Sequence, residues 1–169
     1  MKLPRSLAIM SLSSILFGFA QGEPLKIGDQ APAVSAVVTD AGTTINLGDV
    51  YEKSPYTLVW FYPKALTGGC TKQGCSLRDA NAELEKKGVT IIGVSTDPVE
   101  KQKEFKEVNH FPFTLIADTD KRVVKAFGQS ALMMASREAY LIKNSRIVYK
   151  DEKQTDKQAE NVLNYLNSL

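Results

Sequence analysis

The chain has 169 residues, 43% of them apolar and 24% charged, with 21 Lys and Arg against 19 Asp and Glu. That length and apolar content are enough for one domain with a real core. No Lys/Arg run is present, so neither nucleic acid nor an anionic lipid surface is an expected partner.

The first element is an N-terminal "MKLPRSLAIMSLSSILFGFAQGEP", with Lys2 and Arg5 ahead of an apolar stretch from Leu7 to Ala20. Small-residue cleavage patterns follow at Gly18-Phe19-Ala20 and Ala20-Gln21-Gly22, which predicts a secretory signal peptide over residues 1–20. Serines interrupt the stretch and it is short for a bilayer span, so stable membrane association is not expected. The expected location is outside the cytoplasm, in a bacterial periplasm. Removing Lys2 and Arg5 leaves 19 basic against 19 acidic residues, so the excess positive charge belongs to the signal.

A polar lead-in from Glu23 to Pro32 opens a domain expected to occupy residues 23–169. "TLVWFY" (Thr57–Tyr62) and "VTIIGV" (Val89–Val94) are apolar, β-branched or aromatic runs of the kind found in buried parallel strands. Between them Leu77, Ala80 and Leu84 recur at helical spacing, with Gly88 placed to close the helix. Asp97-Pro98-Val99-Glu100 predicts a cap with Pro at the first helical position and a helix running to about Val108. A strand at Phe113–Ala117 follows, then a short helix near Arg122–Phe127. Ala139–Ile142 and Ile147–Tyr149 flank "KNSR" and predict a hairpin. A closing helix begins near Thr155, with Ala159, Val162, Leu163 and Leu166 on one face. The order predicts one α/β domain, a sheet with helices on both faces.

Both cysteines fall in "PKALTGGCTKQGCSLRD", residues Pro63 to Asp79. Cys70 lies where the chain turns from a strand into a helix. Unpaired backbone N–H groups and the positive end of the helix dipole there favour a thiolate over a thiol. The two glycines ahead of it let the backbone approach a reacting group. The Thr67 hydroxyl can donate to a thiolate or a bound oxygen, and Pro63 can keep water from one side.

Pro63, Thr67 and Cys70 fit the Pro-x-x-x-Thr-x-x-Cys signature, and the segment resembles that of the peroxiredoxins. Cys75 resembles the second cysteine of the peroxiredoxin Q group, also called bacterioferritin comigratory proteins. "GVSTDPVEKQKEF", "FPFTLIADTDKRVVKAFG" and "SREAYLI" are similar to that group's blocks in the same order, so the resemblance covers nearly everything after the signal. It implies a thioredoxin-like fold with a central mixed sheet. It implies reduction of hydroperoxides by thiol chemistry, without metal or organic cofactor. Cys70 would be the peroxidatic cysteine, Cys75 the resolving one, and Arg137 the arginine that pairs with the thiolate and the peroxide. The resemblance also implies a thioredoxin-type dithiol reductant and a monomer, since both thiols lie in one chain. The chain departs from the group at Gly68, where Pro is usual, and in "KNSRI", which lacks the usual Asp and Gly.

Other readings compete. Two cysteines in an exported protein commonly form a structural disulfide. Positions five apart on a regular helix, however, are roughly 8.6 Å apart at Cα, beyond the ~7 Å that a disulfide spans. Thr67 alone reads as an N-cap and Gly68-Gly69 as a turn. Arg137 alone reads as an ion-pair residue, His110 as a solvated helix end, and Trp60 and Tyr62 as core or pocket wall. A thiol:disulfide oxidoreductase would show Cys-x-x-Cys and a cis-Pro before the hairpin. A thioredoxin-like copper-delivery protein would pair Cys-x3-Cys with a distant His. The Cys-x4-Cys spacing fits neither pattern.

Overall fold

The computed structural model describes residues 23–130 and 132–169. The predicted signal peptide lies outside the described residues. The elements follow as β1 (Val37–Val38), β2 (Thr44–Ile45), α1 (Leu47–Lys53), β3 (Tyr56–Phe61), α2 (Gly68–Asp79), α3 (Asn81–Lys86) and β4 (Val89–Ser95). After these come α4 (Val99–Asn109), β5 (Thr114–Ala117), α5 (Arg122–Ala126), β6 (Glu138–Lys143), β7 (Arg146–Glu152) and α6 (Gln158–Asn167).

The main sheet has the order β5-β4-β3-β6-β7. β3, β4 and β5 run parallel, and β6 and β7 are antiparallel to their neighbours. This is the expected mixed sheet. Alternation along each strand divides its apolar side chains between two cores. Leu58, Trp60, Tyr62, Ile91, Leu115, Ala139 and Leu141 join one core with Leu77, Leu84, Phe105 and Val162 of the helices α2, α3, α4 and α6. Val59, Phe61, Ile92, Val94, Ile116, Tyr140 and Ile142 face the other, with Leu47 and Tyr51 of α1 and Val123 and Val124 of α5. Helices therefore cover both faces. This explains why the strands read as continuous apolar runs and not as alternating ones.

Several boundaries differ from the sequence reading for identifiable reasons. The helix expected between the first two strands is two helices, broken at Ala80 (φ −95°, ψ 2°). The Leu77, Ala80, Leu84 spacing survives the break because Leu77 and Leu84 both reach the same core. Pro98, not Asp97, is the residue preceding α4, and no side chain caps that helix. The Asp97 carboxylate is used elsewhere: it accepts the Ala65 N–H and the Ser95 hydroxyl, each at 2.7 Å. α6 begins at Gln158, three residues later than expected. In the hairpin Asn144 and Ser145 both take positive φ (49° and 58°), as a two-residue type I′ turn demands. β1, β2 and α1 have no counterpart in the sequence reading: two-residue strands carry no periodicity, and the seven-residue α1 buries only Leu47 and Tyr51. Among the described residues no helix is long and apolar enough to cross a membrane.

Candidate active site

The site forms where β3 runs into α2, at the C-terminal edge of the parallel strands, the usual place for a ligand in an open α/β sheet. Asp97, in the β4–α4 connection, fixes the approach by its bond to Ala65 N–H. Behind it Ser95 Oγ accepts from Gln102 Nε2 at 2.7 Å, and the Tyr62 hydroxyl donates to Gln102 Oε1. All three of these side chains are buried apart from the Asp97 edge. Burial pushes the Tyr62 phenol well above its ordinary range, so it stays a neutral donor.

Cys70 is the third residue of α2 and is buried, 1% exposed. The first intrahelical bond runs from Thr71 N–H to Thr67 C=O at 2.8 Å. The N–H groups of Gly69 and Cys70 precede it and have no acceptor within the helix. Arg137, immediately before β6, brings its Nη2 to 3.4 Å from Cys70 Sγ. Its Nη1 donates to Gln73 Oε1 at 2.6 Å and to Gly69 C=O at 3.3 Å. A Cβ at position 69 would stand 3.1 Å from Arg137 Nη2, so the glycine leaves room for the guanidinium. The result is a buried thiol with a guanidinium against its sulfur, on a first helical turn whose N–H groups lack intrahelical acceptors; Pro63, seven residues earlier, is half-buried.

Thr67 corrects one expectation. Its hydroxyl donates to Lys64 C=O at 2.8 Å, neither to the sulfur nor to the helix as a side-chain cap. What it presents to an incoming molecule is an acceptor oxygen.

Cys75 is half-buried and turned away from Cys70. Its Sγ lies 3.8 Å from Asn109 Oδ1, and both cysteines are free thiols. Gly74 beside it makes room for an aromatic ring: a Cβ there would fall 2.4 Å from Phe111 Cζ. His110 is exposed at the left-handed end of α4, and Trp60 and Tyr62 are fully buried. No three His, Cys, Asp or Glu side chains among the described residues gather as metal ligands.

The sequence reading missed Gln73, Gln102, Asp97 and Gln158. Gln73 carried a usable signal, since three residues beyond Cys70 is one turn along the same helix face. The others reach the site from distant segments and carried none.

A thioredoxin-like fold that sets a buried thiol on the first turn of a helix against a guanidinium defines a thiol-based redox protein. Residues 27–150 match the AhpC/TSA family, and the chain belongs to that family. It is 48% identical over 105 residues to peroxiredoxin Bcp of Escherichia coli (strain K12), a stretch making up 62% of this chain and 65% of that relative. The matched stretch thus spans slightly less than two thirds of that protein's length. Over 148 residues, 84% of this chain and 68% of the relative, it is 32% identical to chloroplastic peroxiredoxin Q of Suaeda salsa. The fold is similar to the crystal structure of peroxidoxin BcpB from Mycobacterium tuberculosis, with a TM-score of 0.80 and 29% identity over 86% of this chain and 98% of that one. It is also similar to a cysteine-to-serine mutant of PrxQ from Xylella fastidiosa, with a TM-score of 0.78 and 26% identity over 87% and 98% of the two chains.

Proposed function

We propose that this protein is a thiol-dependent peroxidase that reduces hydrogen peroxide and organic hydroperoxides. The observation that carries the reading is the 3.4 Å approach of Arg137 Nη2 to the buried Cys70 sulfur at the start of α2. The Cys70 thiolate attacks the terminal peroxide oxygen, the O–O bond breaks, and the leaving oxygen takes a proton to depart as water or alcohol. Cys70 becomes a sulfenic acid. Arg137 and the N–H groups of Gly69 and Cys70 stabilise the charge developing on the two oxygens. Thr67 accepts the hydrogen bond of the peroxide O–H, and Pro63 limits water at the sulfur.

The Cys75 sulfur then attacks the sulfenic sulfur, and the hydroxyl leaves as water, giving an intrachain disulfide. A thioredoxin-type dithiol reduces it in two electrons. This cycle needs no thiol from a second subunit, in keeping with a monomer. The signal-like residues 1–20 support an exported protein in the periplasm, whose dithiol donor works in the same compartment.

Copper delivery and thiol:disulfide exchange fit less well, because the two thiols face different partners, Arg137 and Asn109. The discriminating experiment is peroxide turnover with a dithiol donor, measured beside copper binding by the same purified protein. Turnover without stoichiometric copper binding supports the peroxidase; copper binding without turnover refutes it.

A further inference from the structure

Arg137 is the end of a longer chain of side chains. Its Nη1 donates to Gln73 Oε1 at 2.6 Å, Gln73 Nε2 donates to Gln158 Oε1 at 3.0 Å, and Gln158 Nε2 donates to Asp151 Oδ2 at 3.3 Å. The same carboxylate oxygen accepts from Asn161 Nδ2 at 2.9 Å and from the Tyr149 hydroxyl at 3.1 Å. Asp151 Oδ1 accepts the Glu152 N–H at 2.9 Å. The two glutamines are 0% and 1% exposed, so water cannot replace a lost partner.

The chemistry of the two ends gives this chain a direction. A guanidinium only donates, and a carboxylate only accepts. Each amide between them can point either way until one end is fixed. Asp151 turns the Gln158 amide so that its NH2 faces the carboxylate and its oxygen faces Gln73. Gln73 must then turn its own NH2 to Gln158, which leaves its oxygen for Arg137. Reversing either amide would put N–H against N–H at one contact and oxygen against oxygen at another.

We infer that Gln158, oriented by Asp151, is a positioning residue for the peroxide step: it fixes the Gln73 amide so that Arg137 is held with Nη2 on the Cys70 sulfur. The inference rests on the reading of Cys70 as the attacking thiol. It makes β7 and the N-terminus of α6 part of the machinery that sets Arg137, although neither touches the sulfur. It applies to the reduced state, in which both cysteines are free thiols and α2 is intact over Gly68–Asp79.

The test is a double-mutant cycle read in single-turnover peroxide consumption by the full domain. Gln158→Met keeps the volume and removes both hydrogen bonds, and the peroxide step is expected to slow on the order of tenfold, as for loss of an orienting outer partner. In a Gln73→Glu background both side-chain oxygens accept, so Arg137 keeps its acceptor whatever stands at 158. The carboxylate then at position 73 has no donor for Gln158 Oε1, so there the same substitution removes an oxygen–oxygen contact and is expected not to slow the peroxide step. Merely structural damage would slow both backgrounds alike, and that result, or an unchanged rate in the parent background, overturns the inference. Should Gln158→Met fail to fold, Asp151→Asn at the half-buried end removes the directionality and is read in the same two backgrounds. Cys70→Ser run alongside separates the two levels. Parent-like turnover in that variant overturns the site itself, whereas Cys70-dependent turnover indifferent to Gln158 overturns only the relay.

Discussion

Cys75 and Asn109 meet where α2 packs on the end of α4: the Cys75 sulfur rests 3.8 Å from Asn109 Oδ1, while the Cys70 sulfur has Arg137 Nη2 at 3.4 Å. Asn109 is itself held by its Nδ2 donating to Phe105 C=O at 2.9 Å, and its carbonyl accepts from Arg78 Nη1 at 2.9 Å. Regular helix geometry puts positions 70 and 75 roughly 8.6 Å apart at Cα, beyond the ~7 Å a disulfide tolerates. A disulfide between them therefore requires α2 to open, breaking the Cys75–Asn109 contact and the packing of Phe111 against Gly74.

Amide hydrogen exchange reads this directly. Over Gly68–Asp79 exchange should be faster in the peroxide-oxidised protein than in the reduced one, while Val89–Ser95 in the sheet changes little. Equal protection of α2 in both states, with the Cys70–Cys75 disulfide confirmed by mass, would return the pair to an ordinary structural bridge.

Arg137→Ala removes the charge nearest the sulfur. Loss of one preorganised donor costs about 10²–10³ in rate, so single-turnover peroxide consumption should fall by that order. Arg137→Lys should recover only part of it, because an ammonium cannot bridge Cys70, Gln73 and Gly69 with a planar fork. Parent-like rates in Arg137→Ala would make the arginine a structural residue.

Gly68→Pro tests the departure from the peroxiredoxin Q pattern. Position 68 opens α2, nothing lies within 4 Å of a Cβ placed there, and Thr67 already has the extended backbone (φ −94°, ψ 151°) that a following proline requires. The substitution should stabilise the reduced protein by about 0.4–1 kcal/mol by restricting the unfolded chain. It should also slow disulfide formation, because the opened α2 loses the same freedom. A lower melting temperature would show that the Gly68 N–H or its flexibility is needed in the folded state.

The parts of the molecule legible in sequence are those whose signal is local. β3 and β4 announce themselves because strands buried on both faces are continuously apolar, and Cys70 does so because a strand, two glycines and a helix are contiguous in the chain. What was not legible depends on residues brought together by folding. Asp97 looked like a helix cap because Asp before Pro usually is one, yet tertiary structure turns its carboxylate onto Ala65 N–H. Thr67 looked like a donor to the sulfur, but the Lys64 carbonyl is nearer along its own turn. Gln158 begins a helix 88 positions after Cys70, and nothing in its neighbours marks it as a partner of Gln73.

The central claim, that one thiol attacks peroxide and the other only resolves the product, is tested most directly by single-turnover peroxide consumption in the two cysteine variants. Cys70→Ser should consume none above the solvent background. Cys75→Ser should consume one equivalent at the parent rate and then stop, accumulating a sulfenic acid that a thioredoxin-type dithiol does not recycle efficiently. Parent-rate consumption by Cys70→Ser, or loss of the first turnover in Cys75→Ser, would contradict the account.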